Sequence, residues 1–211
     1  MKTKDRILQA SLHLFNLEGA TEITTNDISK NLNMSPGNLY FHYKNKEQII
    51  REVFKKLIKE TESVWKPQTK LAKKSQPVPL IEFIENNMQL YWKFRFFHRE
   101  HYTLRKNDPE LNKLWKTHVK KLRLLMIILY KHWVKSGFMV PIKSKSEMDY
   151  VGDLLFISAN SFMQFFDSTQ TALNSDMAPP DKMTEKAKRH ILRMLFPYLD
   201  DKVKVDIEKI I

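Results

Sequence analysis

The sequence predicts an all-α protein in which an N-terminal helix-turn-helix unit is followed by a larger helical domain. Only four glycines occur in 211 residues, which leaves little material for the frequent tight turns of β-sandwiches and barrels. Apolar residues recur at helical spacing along most of the chain. Near the N-terminus, two short helical segments are joined by a three-residue turn, which is the spacing of a helix-turn-helix.

Composition excludes several functional classes. The chain has no cysteine, which removes disulfides, thiol catalysis and Cys-type zinc sites. Its longest apolar run, residues 124–130, is far shorter than the roughly 20 residues that cross a bilayer. The N-terminus has no signal-peptide core. We therefore expect a soluble, cytoplasmic protein that uses no cofactor or metal and has no membrane partner.

The positive charge is unevenly distributed. The formal net charge is +12, which points to a polyanion, an acidic surface or an anionic ligand. Residues 1–60 carry +3, residues 61–135 carry +10 and residues 136–211 carry −1. The excess therefore lies in the middle third, where it is consistent with an anionic ligand, with steering toward DNA or with a solvated surface.

The first three helices are marked by local signals. The first is predicted over residues 4–17 and ends before Gly19, a residue common at helix C-termini. The second is short, and Thr25 can cap it. The third spans residues 36–42, with Ser35 as its N-cap and a proline at its first position.

The rest of the chain is also predicted to be helical. A long helix begins near Lys46 and presents an apolar face as far as Trp65. Residues 66–79 contain three prolines and are the best linker candidate. Further helices are predicted over residues 80–104, 109–135, 146–172 and 181–196, with a last short one within 200–211.

The third helix has the pattern of a recognition helix. Leu39 supplies an inward anchor, whereas Gly37, Asn38 and Tyr40 face outward. Small residues at the start of a helix let its backbone approach the major groove, where polar groups meet base edges or phosphates. The spacing alone is equally typical of three packed helices with solvated polar faces.

Local strings decide between these alternatives. The region of about residues 4–60 closely resembles the DNA-binding region of TetR-family transcriptional regulators, through TTNDIS at 24–29, NMSPGNLYFHY at 33–43 and the Lys-Glu helix start at 46–47. Asn33 stands where the family often has glycine, and asparagine also tolerates the left-handed conformation. Tyr43 stands where phenylalanine is common.

The resemblance implies a set of DNA contacts. Thr25 and Asn26 would meet phosphates, residues 35–38 would form the groove-facing start of the recognition helix, and Lys46 would place a cation at a helix N-terminus. His42 and Tyr43 have packing roles as alternatives. The full predicted set is Thr25, Asn26, Ser35, Pro36, Gly37, Asn38, Tyr40, His42, Tyr43 and Lys46.

The resemblance also implies two domains: a DNA-binding domain over residues 1–46 and an effector-binding and dimerisation domain over 47–211, bridged by helix 46–65. Aromatic residues interleaved with arginines predict the ligand pocket. Its predicted members are Trp65, Tyr91, Trp92, Arg95, Phe96, Arg99, Tyr102, Trp115 and Trp133. An inward arginine implies an anionic guest, whereas exposed arginines would pair with Glu100 and Glu110. Core packing of the aromatic residues is the alternative for the pocket.

Two late helices are the natural dimer pair, because small residues on the first let a partner helix approach. The predicted interface is Leu154, Ser158, Ser161, Phe162, Phe165, Ile191, Met194 and Leu195. The same stripes fit burial within one chain as an alternative.

The sequence thus predicts a homodimeric repressor, not an enzyme, that binds a palindromic operator in double-stranded DNA. A small effector, anionic or aromatic/aliphatic, would release it. A basic architectural or membrane-surface protein without an effector is the alternative.

Overall fold

The computed structural model describes residues 2–73, 79–169 and 181–210. This part of the chain folds into ten α-helices without a β-strand, which confirms the predicted fold class. The helices are α1 Thr3–Glu18, α2 Thr25–Asn31, α3 Pro36–His42, α4 Lys46–Lys73, α5 Leu80–Lys93, α6 Arg95–Asn107, α7 Pro109–Lys135, α8 Lys145–Thr169, α9 Asp181–Leu195 and α10 Asp201–Glu208.

Two hydrophobic cores organise these helices. The first joins α1 to α4 with α6 and the start of α7. At its centre the rings of Phe54 and Phe97 lie 4.5 Å apart, and those of Phe15 and Phe96 lie 5.3 Å apart. The second core is built from the later part of α4 and from α5, α7, α9 and α10. Because α4 contributes to both, it connects the two ends of the molecule.

The prediction of a linker over residues 66–79 is wrong for most of its length. Helix α4 continues through Pro67 to Lys73. Pro67 is exposed, while Trp65, Thr69 and Ala72 continue the buried face at helical spacing. Packing of this face outweighs the hydrogen bond that the proline removes. Residues 74–78, including Pro77, lie outside the described residues.

The helix predicted over residues 80–104 is divided in two. Phe94 ends α5 with φ −115° and ψ 33°, and α6 begins at the next residue. The Phe94 side chain is fully buried in the first core. The helix predicted over 146–172 is described from Lys145 to Thr169, and its last predicted residues, 170–172, lie outside the described part.

The C-terminal tail is tied back to the end of α7. Gly137, with φ 72°, follows that helix. Beyond it, the Val140 amide donates to the Tyr198 carbonyl at 2.9 Å and the Asp200 amide donates to the Phe138 carbonyl at 3.1 Å. These bonds hold α10 beside the second core. Among the described helices, none has the length and apolarity to cross a membrane.

Candidate nucleic-acid interface and ligand cavity

The second helix of the helix-turn-helix is fixed by a capping box. The Asp27 amide donates to Thr24 Oγ1 at 3.2 Å, and the Thr24 amide donates to Asp27 Oδ2 at 2.9 Å. These bonds from Thr24 lower the pKa of the Asp27 carboxyl. The prediction that Thr25 caps this helix is wrong by one position, because Thr25 is its first helical residue.

The turn before α3 has the predicted chemistry. Asn33 adopts a φ of 51°, the left-handed conformation that an asparagine side chain tolerates. Ser35 is the N-cap, and its Oγ accepts from the Asn38 amide at 3.2 Å. Pro36 takes the first helical position, where no amide donor is required. The turn therefore fixes the direction in which α3 leaves the helix-turn-helix core.

Helix α3 presents an exposed polar face over a buried anchor. Leu39 is completely buried. Gly37 and Asn38 are exposed, and a side chain at Gly37 would meet no atom within 4 Å. The hydroxyl of Tyr40 lies 3.0 Å from that of Thr25. The structure thus brings the exposed faces of α2 and α3 together. The other predicted contacts on this face, Asn26, Ser35 and Pro36, are also exposed.

Two predicted DNA contacts have structural roles instead. The Lys46 ammonium donates to the carbonyls of Ala20, Thr21 and Ile23 at 2.7, 3.1 and 2.8 Å. Because an ammonium has three N–H donors, no donor remains for a phosphate. Tyr43 is 4% exposed, and its hydroxyl donates to the Lys4 carbonyl at 3.4 Å. Burial of this side chain raises its pKa to about 12.

One exposed residue of α3 was missed by the sequence analysis. Phe41 is 85% exposed, more than any other large apolar side chain among the described residues. Its ring lies 5.2 Å from the half-buried His42 ring in an edge-to-face arrangement. Its position in the sequence could have predicted this exposure. An aromatic residue between two outward-facing positions of a short helix has little protein to pack against. Its exposure adds an apolar group to a polar face.

A cavity of about 280 Å³ lies among α4, α5, α7, α8 and α9. Its walls are mostly aromatic and aliphatic. Large apolar side chains that line it are Trp65, Phe83, Met88, Met126, Trp133, Met139, Phe156 and Ile191. Its volume is close to the lower limit of small-molecule sites, roughly 300 Å³. The second core therefore contains room for one small guest.

Only some of the residues predicted for the ligand pocket line this cavity. Trp65, Tyr91 and Trp133 line the cavity. Phe96 and Trp115 pack in the first core, and Tyr102 is 67% exposed. The break at Phe94 changes the direction of every side chain that follows it on α6, which explains why Phe96 and Tyr102 lie away from the cavity.

The predicted pocket arginines Arg95 and Arg99 lie away from the cavity, and so does the neighbouring Arg105. Arg95 is buried with its guanidinium 4.6 Å from the centre of the Trp92 ring, so neither residue lines the cavity. Arg99 donates to the carbonyls of Phe15 and Asn16. Arg105 lies over the Trp115 ring. An anionic guest for these arginines therefore stays a prediction that this cavity does not support, and their described contacts do not include pairing with Glu100 or Glu110.

Helix α6 connects the cavity side of the molecule to the helix-turn-helix. The Glu100 carboxylate accepts from the amides of Ala20 and Thr21, each at 2.9 Å. The Asn16 side chain donates to the Lys93 carbonyl at 2.9 Å and accepts from the Phe96 amide at 3.1 Å. The Glu100 bonds satisfy amides in the loop after α1, and the Asn16 bonds satisfy backbone groups at the junction of α5 and α6, so α1 and its following loop are tied to α6.

The predicted dimer residues divide into buried and exposed groups. Leu195 is 5% exposed and belongs to the chain's own core, which overturns its placement in an interface. Ile191 lines the cavity, and the Ser158 hydroxyl donates to Met194 Sδ at 3.2 Å within the chain. Leu154 and Phe162 are half-buried, Phe162 against the second core. Ser161 and Phe165 are exposed.

An apolar stripe remains on the outer face of α8. Tyr150 is 60% exposed, Ile157 is 62% exposed and Phe165 is 54% exposed. With Leu154 and Ser161 they follow the three- and four-residue spacing of one helix face. We call these five residues the α8 stripe.

Comparisons with known proteins agree with this architecture. A family model for bacterial regulatory proteins of the tetR family matches residues 7–53, and a model for a bacterial transcriptional repressor of the TetR type matches residues 44–206. A TetR-family regulator from Marinobacter aquaeolei superposes with a TM-score of 0.85 over 99% of this chain and 97% of its own, at 26% identity. The regulator KstR2 of Mycobacterium tuberculosis shares the fold, with a TM-score of 0.67 at 12% identity over 95% of this chain and 96% of its own.

Two curated relatives are similar over shorter segments. IcaR of Staphylococcus epidermidis, a negative regulator of a biofilm operon, is 43% identical over 49 residues, 23% of this chain and 26% of its own. QacR of Staphylococcus aureus is 29% identical over 119 residues, 54% of this chain and 63% of its own. The chain thus spans less than two thirds of either relative. Since the two family models together match residues 7–206, the chain belongs to the TetR family of bacterial transcriptional regulators.

Proposed function

We propose that the chain is a homodimeric repressor that binds a palindromic operator in cytoplasmic DNA and is released by a small effector. The observation that carries the proposal is the exposed face of α3, held over the buried Leu39 beside the Thr25–Tyr40 hydroxyl pair. The similarity to IcaR, a negative regulator, supports repression.

In this proposal, the start of α3 enters the major groove. Gly37 lets the backbone approach, and the exposed Asn38 reads a base edge. Thr25, Asn26 and Tyr40 meet phosphates and set the register. Of the ten residues predicted to contact DNA, we omit Tyr43 and Lys46, whose polar groups are used within the protein.

The proposed domain division follows the prediction, with residues 1–46 reading DNA and 47–211 binding the effector and the second copy. The bridging helix α4 extends beyond the predicted end at residue 65, to Lys73. Two copies pair through the α8 stripe, because burial of three large exposed apolar side chains favours association. Pairing places two α3 helices on half-sites one turn of DNA apart, roughly 34 Å, or a multiple of it.

Release requires that the effector bind the conformation that does not fit DNA more tightly than the one that does. The cavity among α4, α5, α7, α8 and α9 provides the effector site. Because Glu100 of α6 bonds to the loop after α1, a ligand that displaces α6 alters the position of the helix-turn-helix.

Selection of bound fragments from a random double-stranded DNA library tests the proposal. We expect enrichment of one inverted repeat, and an altered base preference within the half-site for Asn38→Ala. Uniform recovery of all sequences, with an affinity set by salt alone, would instead support a basic architectural protein. Lys120→Ala, on the exposed side of α7, is the control that leaves the base preference unchanged.

A further inference from the structure

The cavity offers no ionic partner to a guest in its interior. The charged residues among its described lining are Arg123, which forms an ion pair with Asp153, and the exposed Asp149. An ionised group that enters an apolar site without a counter-charge loses its hydration and gains nothing in return. A charged guest is therefore disfavoured.

Two of the polar side chains that line the cavity, Asn87 and Tyr130, are already used within the protein. The Asn87 side chain accepts from Trp65 Nε1 at 2.9 Å and donates to the Phe83 carbonyl at 2.6 Å. The Tyr130 hydroxyl accepts from the Ile142 amide at 2.6 Å. These contacts hold the walls in place, so the interior selects for an apolar guest.

A buried histidine packs against one of the residues that line the cavity. His98 is 3% exposed, and within the described residues neither of its ring nitrogens has a partner at full hydrogen-bond geometry, although the Asn160 side chain lies close enough to oppose the lowering of its pKa. Its ring centre is 4.6 Å from that of Tyr91, which lines the cavity. A neutral imidazole carries one donor and one acceptor, and buried polar groups without partners are rare and costly in folded proteins. A guest with a hydroxyl or carbonyl would supply the missing bond.

Resting on the proposed function, we infer that the effector is an uncharged, largely apolar molecule with one hydroxyl or carbonyl, which hydrogen-bonds to His98 after the Tyr91 ring turns aside. The aromatic walls formed by Trp65, Phe83 and Trp133 favour a ring system as the apolar part. His98 acts as a specificity-determining residue, because it distinguishes the hydroxylated guest from its hydrocarbon analogue.

Three matched probes test the inference by titration calorimetry on the full chain: naphthalene, naphthylmethanol and naphthoate. We expect naphthylmethanol to bind about tenfold more tightly than naphthalene, the effect of one added hydrogen bond. Naphthoate is expected to bind most weakly. The inference would be overturned if naphthoate bound as tightly as naphthylmethanol or more tightly, or if none of the three probes bound.

Variants separate the role of His98 from that of the cavity. His98→Phe should reduce the preference for naphthylmethanol over naphthalene to about one, whereas His98→Gln, which keeps a donor and an acceptor, should retain most of it. Gly152 lines the cavity, and a Cβ atom added there would meet no atom within 4 Å. Gly152→Leu should therefore fill part of the cavity without strain and weaken binding of every probe.

An unchanged preference in His98→Phe, with folding verified by circular dichroism, contradicts the assignment to His98. Operator selection is performed on the same preparations without probe. If the chain binds the probes but no specific DNA sequence, the proposed function is contradicted and the ligand assignment is not. If it binds a specific DNA sequence but none of the probes, the ligand assignment alone is contradicted.

Discussion

At the scale of single residues, two opposite charges hold the loop between α1 and α2. Lys46 binds its carbonyls at Ala20, Thr21 and Ile23, and Glu100 binds its amides at Ala20 and Thr21. A loop without regular structure leaves both kinds of backbone group in need of partners. One cation and one anion satisfy them from α4 and α6, which fixes the start of α2.

We expect Lys46→Met to destabilise the protein rather than to remove a phosphate contact. Loss of bonds from a charged donor costs about 1–3 kcal/mol in the free energy of unfolding, measured by urea denaturation. The salt dependence of operator binding should remain unchanged. Lys44→Met, at an exposed neighbouring position, is the matched variant. If Lys44 contacts a DNA phosphate, this substitution should reduce the slope of log binding constant against log salt concentration by about one and leave the stability unchanged. A reduced slope in Lys46→Met with normal stability would restore the phosphate role.

Phe41→Ala should weaken operator binding without lowering stability. At 85% exposure the ring contributes little to the core, whereas on DNA we expect it to contact a thymine methyl group, and full burial of a phenylalanine side chain is worth about 1.5–3 kcal/mol. Fluorescence anisotropy with a labelled operator measures the change. Tyr102→Ala removes another exposed aromatic ring, at 67% exposure on α6, and should have no effect. Equal affinities of Phe41→Ala and the parent protein would show that the ring does not meet DNA.

At the scale of elements, α6 is the part that touches both functional regions. His98 contacts the cavity wall at Tyr91, and two residues further along Glu100 reaches the loop after α1. On α6 these two contacts are separated by less than one helical turn. In the proposed mechanism, a guest that moves this turn would therefore shift the loop after α1 without a long chain of intermediate contacts.

Glu100→Gln should separate the two activities. The neutral amide accepts more weakly from Ala20 and Thr21, so we expect operator affinity to fall several-fold. Binding of naphthylmethanol should stay within twofold, because Glu100 lies outside the cavity lining. Glu110→Gln is the control. The Glu110 side chain is 76% exposed and pairs with Arg51, so its substitution should change operator affinity little. A parallel loss of probe affinity in Glu100→Gln would show that the carboxylate supports the cavity instead.

Elements with local chemical signals were predictable, and those set by packing were not. Ser35 and Asp108 cap helices through their own side chains, so the sequence near each contains the cause. The break at Phe94 has no such signal, because burial of its ring determines it. The exposed face of α3 was therefore anticipated, while most pocket residues on α6 were assigned to the wrong side. The bonds of Lys46 to a loop more than twenty positions away had no local signal either.

At the scale of the whole molecule, Ile157→Glu should separate the proposed dimer. Ile157 lies at the centre of the α8 stripe and is 62% exposed in one chain, so the substitution does not disturb the core. In a dimer it buries a charge without a partner. Analytical ultracentrifugation should show monomers, and operator affinity should fall with them. Val205→Glu changes a 57% exposed residue of α10 and should remain dimeric. A dimeric Ile157→Glu would place the interface elsewhere.

Stability should fall as the solution is acidified below neutral pH. Burial lowers the pKa of His98 to about 3 and that of His118 to about 4. Between these values and the unfolded pKa of about 6.5, the unfolded chain binds more protons than the folded one, so each histidine removes up to about 1.4 kcal/mol per pH unit. Urea unfolding should show that the free energy of unfolding falls between pH 7 and pH 5, and that it falls less in His98→Phe than in the parent protein. His13→Asn, at an exposed site, should leave it unchanged. An identical loss in His98→Phe would assign the pH dependence to other groups.

The core that supports α3 has a practical consequence for building sensors from this protein. Phe15 of α1 packs on Phe96 of α6, and Phe54 of α4 packs on Phe97. A graft joined at residue 46 would separate Phe15 from Phe96 and expose both rings to water, although Phe54 and Phe97 would stay together beyond the junction. A chimeric biosensor should therefore inherit α6 together with α1 to α4, and replace only the walls of the cavity that lie beyond it.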